Sequence, residues 1–447
     1  TGLDGFIERG GQTNPHVVRR APFRTYDAIE PVKSPLTVAA ATTALRVELP
    51  VETGARPGAD DYRIIVTCGE EACELSLTVR VHKAKVPPVG KASFPYTNWF
   101  NLNLMAARHG LEPWSPGHWR MIRRYADLMR RARQNTFWIT WGDVFSRVEG
   151  SLALNRPRLR RLVKVFTDAG LHYIEGGHVA SRTGGQWTSP TFSIVLGGPP
   201  ATGIEGNADL ACACGQLMEE IRANGWARRW LQHVTDEPTI DNAADYRILV
   251  GMVRKYMPGL PILDATMETT LVGSVDIWCP QGQQHQMHRE FFRTQQALGD
   301  RVWFYTCCFP GGPWLNRLMD MELLRPALLG WYAALEKLDG FLHWGLNHYK
   351  TDQDPFQKSV VAHGGDNCLP AGDTHVVYPG EGGPWSSLRL EAQREGLEDY
   401  ELLRQLQASR PATAAAVLTR VIRGFDDYSK DVKAFRAARK ALLEALA

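Results

Sequence analysis

The spacing of hydrophobic and polar positions changes character near residue 90. Before that point, residues 37–49 and 62–68 have strand composition, and residues 75–81 alternate with a period of two. Gly54, Pro57 and Gly58 punctuate these runs. Residues 1–86 therefore read as all or part of a β-sandwich, and Pro87-Pro88 as a stiff linker.

From about residue 91, strand-like and helix-like patterns alternate. Strands are expected over 92–100, 136–141, 172–179, 230–236, 261–265, 275–280, 302–308 and 340–346. Helical periodicity falls between most of them, over 118–133, 157–169, 210–224, 242–257 and 322–338. Pro116-Gly117 and Asn155-Arg156-Pro157 mark helix starts, and Ala169-Gly170 and Asn224-Gly225 mark stops. The pattern predicts an α/β fold, a (β/α)8 TIM-like barrel over 87–408. The sandwich over 1–86 precedes it and a helical extension over 409–447 follows. The fifth unit is the weakest, because only residues 268–273 separate its strands. A doubly wound sheet would open with a glycine-rich phosphate turn after its first strand, and the chain has none there.

A barrel places its chemistry at the carboxyl ends of the strands. The fourth strand ends in Asp236-Glu237 and is broken by Pro238. Two adjacent acids at the end of a buried strand repel each other and lose hydration, so a compensating use is expected. Glycosidases that borrow the substrate's acetamido group carry such a pair. The plain alternative is that one acid caps the following helix and the other is solvated. Polar and aromatic residues converge at the other strand ends, which favours the catalytic reading. His178, Gln281 and Asn347 are candidates to bind sugar hydroxyls; Tyr305 and Trp344 are candidates to hold an acetamido group, with Trp278 as a second wall. Glu175 and Asp264 are candidate supports behind them.

Composition narrows the classes. The 447 residues are 44% hydrophobic and 22% charged, with a formal net charge of +3, as in a soluble globular protein. Arg123-Arg124, Arg130-Arg131 and Arg160-Arg161 fall on helical patterns and read as solvated faces, so no nucleic-acid partner is expected. Fourteen tryptophans raise the expectation of a carbohydrate surface. No run reaches the roughly 18 apolar residues that span a bilayer. The chain opens Thr1-Gly2-Leu3 without a leader, so export neither follows nor is excluded. Cys68 and Cys73 flank a hairpin-like turn; a disulfide there would fit a secreted or periplasmic setting, and a pair of free thiols fits equally. Cys212, Cys214, Cys307 and Cys308 read as buried thiols. The His285–His288 and His343–His348 spacings match no metal site, so neither metal nor cofactor is expected.

The segment Tyr378-Pro379-Gly380, then Gly383-Pro384-Trp385 through Arg389, Glu391, Gly396, Asp399 and Leu403, resembles the C-terminal signature of glycoside hydrolase family 123. The Asp236-Glu237 strand resembles that family's catalytic pair, and residues 49–81 the last strands of its N-terminal sandwich. The resemblance implies a retaining β-N-acetylgalactosaminidase acting on a glycan or glycolipid. Asp236 would orient the 2-acetamido group as it attacks the anomeric carbon. Glu237 would protonate the leaving oxygen and then activate water against the oxazolinium. No separate enzyme nucleophile is then required. The alternatives are a glycosidase of this scaffold acting on another sugar and a non-catalytic carbohydrate-binding barrel. Arg389 and Glu391 read as a helix-to-barrel ion pair, and a sandwich face is the candidate surface for a homodimer.

Overall fold

The computed structural model describes residues 16–20, 23–37, 43–52, 54–350, 353–362 and 368–446. Eight short parallel strands carry the frame: β1 (Tyr96–Asn98), β2 (Thr136–Ile139), β3 (Tyr173–Gly176), β4 (Trp230–Gln232), β5 (Leu263–Ala265), β6 (Ile277–Cys279), β7 (Arg301–Tyr305) and β8 (Gly340–His343). Nearly every residue in them is buried on both faces, as expected of parallel strands flanked by helices.

The strands form two curled ladders rather than a closed barrel. One runs β2-β3-β4 and the other β5-β6-β7-β8-β1, joined by a bridge between Gln232 and Ile262. Among the described residues no ladder joins β1 to β2. Amide side chains occupy that seam instead. Tyr96 N donates to Asn135 Oδ1 at 3.0 Å and Asn135 N to Tyr96 O at 3.3 Å. Asn98 Nδ2 donates to Gln134 Oε1 at 3.0 Å, and Gln134 Nε2 returns a bond to Asn98 O at 3.2 Å. Buried main-chain groups at the seam are thus satisfied without strand pairing.

Helices follow most strands: α1 (Pro116–Arg131), α2 (Arg156–Ala169), α3 (Ile204–Ala223), α4 (Ala243–Tyr256), α5 (Arg289–Leu298), α6 (Leu324–Glu336) and α7 (Leu388–Ser409). Their starts lie where the punctuation predicts. Ser115 accepts from His118 N ahead of α1, and Asn155 accepts from Arg158 N ahead of α2. Gly170 ends α2 at φ 103°, a conformation costly for any residue with a Cβ. Turns alone connect β5 to β6, as the weak fifth unit suggests. Two terminal helices, α8 (Pro411–Leu418) and α9 (Val432–Ala445), pack beyond α7.

Of the expected sandwich, the described residues show one antiparallel hairpin, Gly58–Cys68 with Glu71–Val81. Cys68 lies opposite Glu71 and Cys73 opposite Val66, and both thiols are free. The expected strand over 37–49 falls partly outside the described residues, and its described part is not strand. Residues 1–15 also lie outside them.

A short N-terminal strand, Ala28–Ile29, pairs with Gly383–Ser387 just before α7. Beside it Asp27 accepts from Arg389 Nε at 3.0 Å, Arg389 Nη2 at 2.9 Å and Tyr378 Oη at 2.7 Å. Arg389 is fully enclosed and also donates to the carbonyls of Arg317, Gly372 and His375. Glu391 instead pairs with Arg131 of α1 at 2.9 Å. The expected ion pair is therefore two pairs, one reaching the N-terminal strand and one reaching α1.

Removing one partner of a buried pair leaves a charge uncompensated. Asp27→Ala is expected to lower unfolding free energy by roughly 3–5 kcal/mol, measured by urea denaturation.

Candidate active site

The β4 ladder ends at Gln232, four residues before the acid pair. The chain beyond stays tied to its neighbour: His233 N donates to Gly176 O at 3.0 Å, and Val179 N and Ala180 N donate to Val234 O at 3.0 and 3.2 Å. Glu237 then takes φ 43°, the left-handed region that a side chain rarely occupies. Arg182 clamps this turn. Its guanidinium donates to Asp236 O at 3.1 Å and to Glu237 O, and it lies 4.1 Å over the Trp187 ring. The two acids are therefore held in place through their own main chain.

Their side chains meet different surroundings. Burial raises the Glu237 carboxyl to about 7, assisted by the adjacent Asp236 charge and opposed by the Tyr305 hydroxyl that donates to Oε1 and by Arg182. Burial also raises Asp236, but the charges of Arg182 and then His233 pull it down. Two coupled carboxyls with different partners suit a split of roles, one protonated and one ionised.

Behind Asp236 lies a fully buried charge relay. His233 Nε2 is 2.9 Å from Glu175 Oε1 and its Nδ1 is 3.1 Å from Asp264 Oδ1. Burial opposes protonation of His233, yet the bonds to Asp264 and Glu175 raise it to about 9. Asp264 further accepts from Val234 N at 3.0 Å and Tyr246 Oη at 2.7 Å, and Glu175 from Trp99 Nε1 at 3.2 Å. His178, His233 and Asp264 bring potential ligand atoms within 4.8 Å of one another. Both His233 nitrogens already face carboxylates, so charge pairing accounts for the group.

A cavity of about 460 Å³ opens over the pair. Asp236, Glu237, Tyr305 and Trp344 all line it, with Trp99, Asn101, Cys307, Cys308, His348, Lys350 and Asp373. A second cavity, of about 570 Å³, meets the other side of Asp236 and is lined by His178, Arg182 and glycine-rich turns.

The remaining candidates stand apart from the first cavity. His178 borders only the second, its ring 5.3 Å from Trp99 and 5.2 Å from His233. Trp278 is no wall of the site. Its indole turns towards the helices, 5.3 Å from Phe291, with Nε1 donating to Asp300 at 2.8 Å. Gln281 sits behind Tyr305, bridging to its main chain, with its amide 3.9 Å from Cys307 Sγ. Asn347 is fully buried and brackets Asn101, accepting from its N–H at 2.9 Å and donating to its carbonyl at 3.0 Å. It therefore positions a lining residue rather than lining the cavity. Sequence reasoning missed Arg182, His348 and Asp373 as site residues. Arg182 and Asp373 come from loops whose spacing carries no signal, whereas His348 lay in a run already noticed for its histidines.

Residues 210–406 match the family model described as Glycoside hydrolase 123, catalytic domain, which takes in β4 to α7 and both acids. That stretch is similar to the family 123 catalytic domain. The protein is a glycoside hydrolase. A solved family 123 glycoside hydrolase from Clostridium perfringens, described through glycolipid glycan hydrolysis, is 15% identical with a TM-score of 0.67; the match covers 88% of this chain and 75% of that one. A termite-gut GH10 xylanase with a bacterial Ig-like domain is 12% identical at a TM-score of 0.39, covering 78% and 87%. A family 5 glycoside hydrolase from Bacteroides vulgatus is 12% identical at 0.41, covering 70% and 67%. No curated protein sequence matches.

The raised Glu237 carboxyl makes stability depend on pH. Its contribution is fully present below its unfolded pKa and is lost as pH rises through about 7. Unfolding free energy of the wild type is expected to fall by on the order of 3 kcal/mol from this group between pH 4.5 and 8. Glu237→Gln should abolish that part of the slope, as read by urea denaturation at several pH values.

Proposed function

We propose that this glycoside hydrolase removes terminal β-linked N-acetylgalactosamine with retention, using the substrate's own acetamido oxygen as nucleophile. The observation that carries the reading is the split environment of two adjacent carboxyls on one cavity wall. Glu237, kept protonated by burial, gives its proton to the leaving oxygen. Asp236, facing the positive charges of Arg182 and His233, stays ionised and accepts the acetamido N–H as the oxygen attacks the anomeric carbon. The C1–O bond to the aglycone breaks, and an oxazolinium forms. Glu237, now ionised, takes a proton from water as that water opens the ring.

An ordinary double displacement needs carboxylates on both faces of the sugar. Asp236 and Glu237 leave one strand end together, so they suit a reaction whose nucleophile comes from the substrate. Tyr305 donates to Glu237 in the free protein, and in this reading its hydroxyl passes to the acetamido oxygen once substrate enters. Trp344 offers an apolar wall. The Clostridium perfringens relative is described through glycolipid glycan hydrolysis, and glycolipid glycans ending in N-acetylgalactosamine are the natural extension to this chain.

Hydrolysis of p-nitrophenyl β-GalNAc should exceed that of the β-galactoside, with β-configured product released first by NMR. Activity on neither β-GalNAc nor β-GlcNAc, or trapping of a 2-deoxy-2-fluoro sugar on Asp373, would overturn the acetamido mechanism. Glu237→Gln should lower kcat by about 100- to 10,000-fold on substrates with poor leaving groups.

The pH–rate profile should be bell-shaped. Activity falls at high pH as Glu237 loses its proton and at low pH as Asp236 gains one. Tyr305→Phe removes a bond that favours ionised Glu237, so its alkaline limb should move to higher pH.

A further inference from the structure

We propose that Asp373 and His348 form the hydroxyl-recognising wall of the catalytic cavity, each accepting a hydrogen bond from a ring or exocyclic hydroxyl of the bound sugar. The inference rests on the glycosidase reading and concerns which sugar that site accepts.

Both side chains come from the segments that follow β8, and they are brought together by His348 N donating to Thr374 O at 2.9 Å. Both line the cavity that holds Glu237. Asp373 is fully buried, and Trp344 Nε1 donates to its Oδ1 at 3.0 Å. Its Oδ2 has no partner among the described residues. The two arginines whose charges reach it are engaged elsewhere. Arg317 Nη1 donates to Asn98 and Gln393, and Nη2 to Gly345 O. Arg389 is bound to Asp27 and to carbonyls. His343 Nδ1 accepts from Gly345 N at 3.0 Å, and its Nε2 stands 3.8 Å from Oδ1, the oxygen already served by Trp344.

His348 repeats the pattern. Its ring bonds the Trp99 backbone while its buried Nε2 has no partner among the described residues. The bond to Trp99 therefore falls to Nδ1, and Nε2 of the neutral ring presents a lone pair. Burial keeps the ring neutral, with its pKa lowered to about 4. A buried acceptor without a donor is costly, and native proteins rarely leave one unsatisfied. Two such acceptors on one wall, beside an indole, call for a ligand that supplies donors together with an apolar face. A neutral sugar does so through its hydroxyls and C–H face. An acidic sugar would set its carboxylate against Asp373, whose own ionisation burial already disfavours.

The test is a deoxy-sugar scan of the whole protein. Wild-type kcat/KM is measured on p-nitrophenyl β-GalNAc and on its 3-, 4- and 6-deoxy analogues. Burial raises the Asp373 carboxyl to about 7, so the scan is run at pH 8, where it is ionised, and at least one analogue should lose about 10- to 100-fold, the worth of a hydrogen bond to a charged acceptor. Asp373→Asn should lose a similar factor on the parent and little more on that analogue. His348→Gln should show the same coupling at a second hydroxyl. The proposal is overturned if every deoxy analogue is turned over like the parent, or if Asp373→Asn loses equally on all of them. If no aryl glycoside is hydrolysed, the functional reading fails on its own. Calorimetric binding of N-acetylgalactosamine and its deoxy forms then decides this inference through the same coupling in Kd.

Discussion

Two carboxyl groups held side by side out of water are the constraint around which this protein is arranged. Neighbouring charges with little solvent repel strongly, so such a pair persists only where the surroundings divide the protons between them. Here Arg182 fixes the main chain of both acids, Tyr305 donates to Glu237, and His233 brings a positive charge beneath Asp236. The left-handed turn at Glu237 is part of the same device, since it aims two consecutive side chains into one cavity. Such a conformation is tolerated where neighbouring contacts over-determine it.

The relay beneath the pair is also what unites the two ladders. Glu175 belongs to β3, His233 follows β4, and Asp264 belongs to β5, so the bonds of His233 and Val234 N to Asp264 span the point where the Gln232–Ile262 bridge joins the ladders, and the bond of His233 to Glu175 ties that point to β3. Trp99 after β1 and Tyr246 of α4 complete it. One imidazolium between two carboxylates leaves few lone pairs unmet and ties the catalytic strand end to its neighbours. Electrostatics and architecture here are served by the same atoms.

The C-terminal signature supports the frame from behind. Arg389 anchors the N-terminal strand, Glu401 accepts from Phe94 N at 2.7 Å ahead of β1, and Asp399 accepts from Trp331 at 3.1 Å and Arg439 at 2.8 Å. Gly396 lets α7 cross α6 closely, since a Cβ there would stand 1.9 Å from Ala327 O. None of these residues lines the cavity. The segment that carries the resemblance to the family is scaffold, while the acid pair sits on the turn just after β4 and faces the loops opposite it.

The sequence by itself determined the alternating strands and helices, most helix boundaries and the acid pair at the fourth strand end. Those features are local: apolar periodicity, proline and glycine punctuation and capping residues act within a few positions. Tyr305 and Trp344 could be named because strand ends converge on one rim, but that rule does not say which way a side chain turns. Trp278 turned outward to Phe291 and Asn347 turned to bracket Asn101. Only the tertiary structure decided that the ladders meet at amide side chains rather than closing. It alone brought Arg182 and Asp373 to the site. Those placements depend on contacts between residues far apart in the chain, and on which buried polar atoms find partners, which no local spacing encodes.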